Sequence, residues 1–398
     1  MDLKLYPSVL QGNISAIPSK SQAHRLLICA AFSSAPTELL CSTSNEDIDA
    51  TVQCLNAIGA RIHRTDIGFW IEPIKEIPSK AELDCRESGS TLRFMLPIVC
   101  ALGIETTILM HGRLPKRPLS PLWEELERVG CCLYRPSAET IHTSGKLQCG
   151  EYRIAGNVSS QFITGLLFAL ALLDGTSQIV ITSNLESKPY VEMTQRALRA
   201  FGVNTENYCI RGSLPFSSPG HVSVEGDWSN AAFFLAARAM GNQITVSNLA
   251  ADSPQGDRVI QTILEDTVAY PEISAANIPD LVPIMAVYFA TKNGAIFKDI
   301  ERLRLKESDR VASVTSLLSA LGANAHADQS TLFVDGGSFT GGTVDACGDH
   351  RIAMAAAIAA TRASGPVTIL GAECVNKSYP TFWQEYQRLG GKYEQYIR

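Results

Sequence analysis

The sequence predicts an α/β protein of two lobes in which sheets enclose apolar helices. Three observations carry that reading: a long-range repeat of apolar segments, an amphipathic marker running between them, and β-branched runs that separate the two. With 398 residues the chain is long enough for two or three domains of ~100–200 residues each. Hydrophobic residues make up 45% and charged residues 19%, the balance of a packed chain rather than a disordered one. The formal net charge of −6 excludes a generally basic nucleic-acid surface, so an anion site must be a local cluster of cations.

The repeat consists of six apolar segments, each opening on a polar group: Ser21–Ser33, Ser90–Leu102, Ser159–Leu173, Ser229–Met240, Asp280–Thr291 and Asp349–Thr361. The steps from Ser21 to Ser90, Ser159 and Ser229, and from Asp280 to Asp349, are nearly equal, so only the fourth unit, from Ser229 to Asp280, is short. Periods of this length mark an array of supersecondary units. Stretches such as Ala231-Ala-Phe-Phe-Leu-Ala-Ala237 and Ala353-Met-Ala-Ala-Ala-Ile358 are apolar all round, and such helices are buried on every side.

The second marker is an amphipathic stretch ending in glycine. It appears as Leu55-Asn-Ala-Ile-Gly59, Leu126-Glu-Arg-Val-Gly130, Leu198-Arg-Ala-Phe-Gly202, Leu318-Ser-Ala-Leu-Gly322 and Tyr386-Gln-Arg-Leu-Gly390. The short unit breaks it at Leu264-Glu-Asp-Thr-Val268. A glycine just past such a helix predicts a left-handed C-terminal cap. Between the markers, Ile141–Thr143, Gln178–Thr182, Ile244–Ser247 and Thr331–Val334 read as strands. Each unit is therefore expected to run strand, apolar helix, strand, amphipathic helix, strand, with three units per lobe.

The opening Met1-Asp-Leu-Lys-Leu has no basic-then-apolar leader pattern. The longest apolar run, Phe162–Leu173, falls short of the ~20 residues of a membrane span. Eleven scattered cysteines without metal-ligand spacing read as reduced thiols in a cytoplasmic protein with no metal site.

Four backbone N–H groups at the start of each buried helix lack partners. Helix starts gathered on the faces of two lobes would attract anions through those groups and the helix dipoles. The residues around the starts suit that role. Lys20, Ser21 and Arg25 open the first helix, where a phosphate cradle and a capping serine with two solvated cations are both open readings. Gly89, which allows close approach to the backbone, precedes Ser90, Thr91 and Arg93, the first two read as caps. Arg113, Lys116 and Arg117 follow in a loop, and Ser159, Ser160 and Gln161 open the third helix. Ser187-Lys-Pro-Tyr190 reads as a polar turn.

Asp280 stands at the start of an all-apolar segment as either a cap or a catalytic base. Arg302, Lys306 and Arg310 are spaced by four, with Glu307 off their shared face, in a run that reads as the opening of a helix. Asp349-His-Arg351 leads into another buried helix and needs partners there. Lys377-Ser-Tyr-Pro380 lies near the end. So many cations in an acidic chain point to a ligand with several negative groups. There is no G-x-x-x-x-G-K-[ST] or G-x-G-x-x-G, so ATP and NAD chemistry have no support. Cations beside two proton handlers, Asp280 and Glu307, suit group transfer from a phosphorylated small molecule.

From Pro18 to Pro380 these motifs, in this order, resemble the 3-phosphoshikimate 1-carboxyvinyltransferase (EPSP synthase) family. The matching residues are Ser19-Lys-Ser with Arg25, Gly89-Ser-Thr with Arg93, Arg117-Pro118, Ser159-Ser-Gln161 and Ser187-Lys-Pro-Tyr190. Ile278-Pro-Asp280, Lys306-Glu-Ser-Asp-Arg310, Asp349-His-Arg351 and Lys377-Ser-Tyr-Pro380 complete them. The resemblance implies a two-lobed inside-out α/β barrel, each lobe of three βαβαββ units with buried parallel helices. One lobe would span 15–222 and the other 1–14 plus 223–398, with the active site in the cleft between them.

It also implies transfer of the enolpyruvyl group of phosphoenolpyruvate to the 5-hydroxyl of shikimate 3-phosphate, a step toward chorismate and the aromatic amino acids. No metal or organic cofactor is implied, no nucleic acid or membrane partner, and a monomer is expected. Carried over residue by residue, Lys20, Ser21, Arg25, Ser159, Ser160, Gln161, Ser187, Tyr190, Asp280 and Lys306 would hold shikimate 3-phosphate. Lys20, Gly89, Arg117, Gln161, Arg310, Arg351 and Lys377 would hold phosphoenolpyruvate. Asp280 would take the hydroxyl proton, Glu307 would exchange a proton with the methylene, and Lys20 would assist elimination. Glu87 and Arg302 stand where many members have asparagine. Two rivals remain: the related transferase acting on UDP-N-acetylglucosamine, and a catalytically silent anion-binding protein of the same fold.

Overall fold

The computed structural model describes residues 1–212 and 215–396. Within them the chain forms twelve α-helices: α1 (Lys20–Ala31), α2 (Glu46–Ala57), α3 (Gly89–Leu102), α4 (Leu122–Arg128), α5 (Ser160–Ala171), α6 (Lys188–Ala200), α7 (Trp228–Ala239), α8 (Ile260–Glu265), α9 (Val282–Ala290), α10 (Arg310–Ala320), α11 (His350–Ala360) and α12 (Phe382–Arg388). The odd-numbered helices are the six apolar segments, and the even-numbered ones carry the marker stretches. Every residue of α9 and α11 is buried. Fully burying a Val, Leu, Ile, Phe or Met side chain contributes roughly 1.5–3 kcal/mol, so such helices belong inside, and their charged neighbours are confined to the ends.

Two compact units result, residues 18–225 and residues 1–17 together with 226–398. Both crossings fall slightly later than the boundaries expected at 14/15 and 222/223. Backbone pairing accounts for this. Ala16 N–H donates to Ser247 and Asp227 N–H to Ile17, while Ser19 N–H donates to Glu225.

In the 18–225 unit the second repeat is complete. Lys80–Asp84 pairs parallel with Glu105–Leu109, which pairs antiparallel with Thr140–Gly145, and Cys131–Ser137 closes the sheet. With α3 and α4 between its strands this is βαβαββ. The first repeat has the same sheet, but its leading strand, His221–Ser223, arrives from the far end of the unit and pairs parallel with Thr37–Leu40. The third repeat has three strands, Glu151–Ile154, Gly175–Ile181 and Cys209–Gly212.

In the other unit the fifth repeat is also complete, with Glu272–Ser274, Gly294–Lys298, Thr331–Asp335 and Ala325–Ala327 in that order. The sixth takes its missing strand, Asp2–Tyr6, from the other end of the chain. The fourth is reduced to two strands, with Gln11–Ser15 leading Gln243–Ser247 in parallel. Its sheet lacks the closing hairpin, which accounts for the short step from Ser229 to Asp280. The strands of each unit lie in separate sheets around the buried helices, not in one closed barrel, because each sheet packs on its own apolar helix.

All five marker glycines, Gly59, Gly130, Gly202, Gly322 and Gly390, have positive φ, as the left-handed cap requires. The expected N-caps need correction. The capping side chains are Ser19, Ser88, Ser159, Asp227 and Asp349, so Ser21, Ser90, Thr91 and Ser229 lie inside or beside the first turn. Helix α9 starts from Leu281 without a side-chain cap. The run from Arg302 to Arg310 is not one helix. A 3-10 turn covers Glu301–Leu305, and α10 begins at Arg310 with Asp309 as its cap.

Candidate active site

In the 18–225 unit the first turns of the buried helices meet. Nη1 of Arg93 on α3 donates to Oε1 of Gln161 on α5 at 2.8 Å, and Nε2 of Gln161 donates to the hydroxyl of Ser90 at 2.9 Å. Helices α3 and α5 approach this closely because Gly165 has no Cβ, which would strike the carbonyl oxygen of Arg93. Gly89 plays the same part for two cations. A Cβ there would lie 2.7 Å from both the Arg117 and the Arg93 guanidinium. The structure thus brings Gly89, Arg93, Arg117 and Gln161 together. Ser159 caps α5, and Ser160 is buried in its first turn.

Lys20 lies 2.9 Å from Asp47 on α2, a pairing that nothing in the sequence singled out. Asp47 is one of three acidic residues in the first turn of α2, and acids there are ordinary complements of the helix dipole. Arg25 is almost wholly buried. Its guanidinium donates to the Ser21 carbonyl at 2.5 Å, the Tyr190 carbonyl at 3.0 Å and the Thr194 hydroxyl at 2.8 Å. Burial lowers its pKa to about 10, which leaves it a cation at neutral pH. Arg25 therefore fastens the start of α1 to α6 and holds Ser21 and Tyr190 in place. Ser187 is buried with φ of 53°, a left-handed conformation that a serine rarely adopts. Arg113 and Lys116 are exposed.

In the other unit the starts of α9, α10 and α11 converge on one carboxylate. Oδ1 of Asp280 accepts from Nη1 of Arg310 at 2.6 Å and lies 3.6 Å from Nζ of Lys306. Its Oδ2 accepts from Nη2 of Arg351 at 3.2 Å. Burial alone would raise the proton affinity of Asp280, but Arg351, Lys306 and Arg310 outweigh it and hold the carboxyl well below its usual range. Because α9 has no side-chain cap, the capping reading of Asp280 gives way to that of a carboxylate held among cations.

Arg310 is shared further. Its Nη2 donates to Glu307 at 2.8 Å and its Nε to Asp349 at 2.9 Å. Asp349 also caps α11 and accepts the Ser308 hydroxyl at 3.1 Å. Asp349 and Arg351, two of the ionisable residues leading into α11, thus have the partners that burial demands. Burial lowers Lys306 to about 8, against the pull of Asp280, and Arg310 and Arg302 add to the depression. Lys377 is buried at the end of the 3-10 turn Ala372–Lys377. Among the described residues no three His, Cys, Asp or Glu side chains group as a metal site would require.

The family model for EPSP synthase (3-phosphoshikimate 1-carboxyvinyltransferase) matches residues 6–270 and 267–386. The chain belongs to the EPSP synthase family. Proteins named 3-phosphoshikimate 1-carboxyvinyltransferase from Clostridium beijerinckii and Clostridium kluyveri are 36% and 37% identical to it, each covering 99% of this chain and 99% and 98% of their own. A relative of the same name from Clostridium novyi is 38% identical over 98% of both chains. Among solved structures, EPSP synthase from Acinetobacter baumannii superposes with a TM-score of 0.80 at 23% identity, over 99% of this chain and 100% of that one. The enolpyruvyl transferase NikO from Streptomyces tendae superposes with a TM-score of 0.77 at 17% identity, over 99% and 98%. The structural likenesses bear on the fold, and the sequence likenesses on the family.

Proposed function

We propose that the chain transfers the carboxyvinyl group of phosphoenolpyruvate to the 5-hydroxyl of shikimate 3-phosphate, releasing phosphate. This is the reaction named by the family and by its full-length relatives. It places the chain in the shikimate route to chorismate and the aromatic amino acids. The observation that carries the reading on the chemical side is the convergence of Arg310, Arg351 and Lys306 on Asp280, with Glu307 on the same arginine. The two substrates together bring two phosphates and two carboxylates, which matches the cations in both units.

In this reading Lys20, Ser21, Arg25, Ser159, Ser160, Gln161, Ser187, Tyr190, Asp280 and Lys306 serve shikimate 3-phosphate. Lys20, Gly89, Arg117, Gln161, Arg310, Arg351 and Lys377 serve phosphoenolpyruvate. The 5-hydroxyl oxygen of shikimate 3-phosphate forms a bond to C2 of phosphoenolpyruvate while Asp280 takes its proton and C3 gains one from Glu307. Loss of a proton from C3 and departure of phosphate from C2 then restore the double bond, with Lys20 assisting the leaving group. Three cations make Asp280 a weak base in the unliganded protein. A substrate phosphate or carboxylate that shares those cations raises its proton affinity when the base is needed.

The reading requires both clusters to act on one pair of substrates. It further takes the protein to be a monomer in the cytoplasm, and the eleven free cysteines support the reducing compartment. The test is phosphate release with phosphoenolpyruvate and either shikimate 3-phosphate or UDP-N-acetylglucosamine. Release with the first acceptor alone is expected. Release with the second alone, or with neither, rejects the proposal.

A further inference from the structure

Behind the Asp280 cluster lies a buried carboxyl group to which the reaction above gives no part. Asp257, on the 3-10 turn Gly256–Val259, is 1% exposed. One of its oxygens accepts the hydroxyl of Ser229, in the first turn of α7. The Ser229 carbonyl accepts from Nη1 of Arg351 at 3.4 Å, and Nη2 of that guanidinium donates to Asp280 at 3.2 Å. Successive hydrogen bonds therefore join Asp257 to Asp280 through Ser229 and Arg351.

The same segment grips the helix a second time. Oε1 of Gln255 accepts from Trp228 N–H at 3.0 Å, and its Nε2 donates to the Gly226 carbonyl at 2.8 Å. Capping does not account for Asp257, because α7 already has Asp227, whose carboxylate accepts from Asn230 N–H at 2.8 Å. The charged groups facing Asp257 are Asp280, Arg351 and Asp227. Burial, helped by Asp280, pushes its carboxyl up to about 7, against the pull of Arg351 and the bond from Ser229. A neutral Asp257 leaves the Arg351 charge to Asp280, whereas an ionised one competes for it.

We propose that Asp257 is a positioning residue for the transfer: by holding Ser229 it sets the carbonyl that steers Arg351 onto Asp280. The inference rests on the reaction proposed above. Its test compares Asp257→Ala and Ser229→Ala, singly and together, with Asp257→Asn, which keeps an oxygen for the Ser229 hydroxyl and removes the charge. Each alanine variant is expected to lose kcat by about 10- to 100-fold, with a rise in the KM for phosphoenolpyruvate, which Arg351 serves, and little change in that for shikimate 3-phosphate. The double variant should be no slower than the worse single one, since both changes break one connection. Asp257→Asn should recover most of the turnover.

Unchanged kcat in the alanine variants, additive losses, or an asparagine variant as slow as the alanine one overturns the proposal. If Asp257→Ala does not fold, Ser229→Ala carries the same comparison. A crystal structure of either alanine variant gives a readout independent of turnover. Arg351 withdrawn from Asp280 supports the proposal, and an unaltered contact between the two overturns it. An unaltered protein that releases no phosphate would instead reject the transfer reaction.

Discussion

Nη1 of Arg310 donates to Oδ1 of Asp280 over 2.6 Å, within a unit where Arg310 is 1% exposed. The same guanidinium also serves Glu307 and Asp349, so one buried cation balances three carboxylates. Arg310→Met keeps the volume and removes the charge. It should destabilise the protein by about 3–5 kcal/mol, the loss typical when one partner of a buried ion pair is removed. Urea unfolding at pH 7 measures this, and a loss below about 1 kcal/mol, the range of a surface pair, would mean that the cluster is effectively solvated.

Asp280→Asn should abolish turnover and also lower stability at neutral pH. The folded carboxyl titrates well below its ordinary value, while the unfolded one titrates near ~3.9. A depressed folded pKa contributes stability that is present above the unfolded pKa and lost as pH falls through the folded one. The gap between the unaltered protein and Asp280→Asn should therefore hold constant from pH 7 down to about 5 and shrink below ~4. Unfolding curves across that range check it, and a gap that grows toward acid would reverse the sign.

Lys306 titrates at about 8, so it loses its charge within an accessible range. The KM for shikimate 3-phosphate should rise as pH passes upward through 8. Lys306→Arg keeps its charge throughout, and its KM should stay level over the same range even if it starts higher. Initial rates from neutral to moderately alkaline pH measure both. Identical KM profiles for the two proteins would remove Lys306 from the binding list.

Gly89→Ala should raise the KM for phosphoenolpyruvate more than it lowers stability. The added methyl meets the guanidinium ends of Arg117 and Arg93, which must shift and no longer point where they did. Steady-state kinetics together with a melting curve separate the two effects. A large drop in melting temperature with unchanged KM would make Gly89 a packing residue.

Much of the fold was legible because its signal is periodic. Wholly apolar helices and glycine-ended amphipathic stretches recur at a nearly fixed interval, and burial on every side leaves that mark in composition. The helix starts were less legible. Ser21 and Ser90 looked like caps, yet Ser19 and Ser88 hold the role, because a polar residue slightly earlier serves as well and only backbone geometry chooses. Asp47 and Asp257 could not be seen at all. Each is an ordinary acid in its local sequence and gains meaning only from a partner 27 or 28 positions away.

Read alone, the sequence determined the six buried helices, the short fourth repeat, the family and the set of cations from which a site is built. These are properties of composition and spacing along the chain. Tertiary structure decided which strand fills each sheet, since Asp2–Tyr6, Gln11–Ser15 and His221–Ser223 pair with partners far away in the chain. It also decided that Asp280 is held by three cations. Pairing and charge balance depend on distance in space, which residue order does not encode locally.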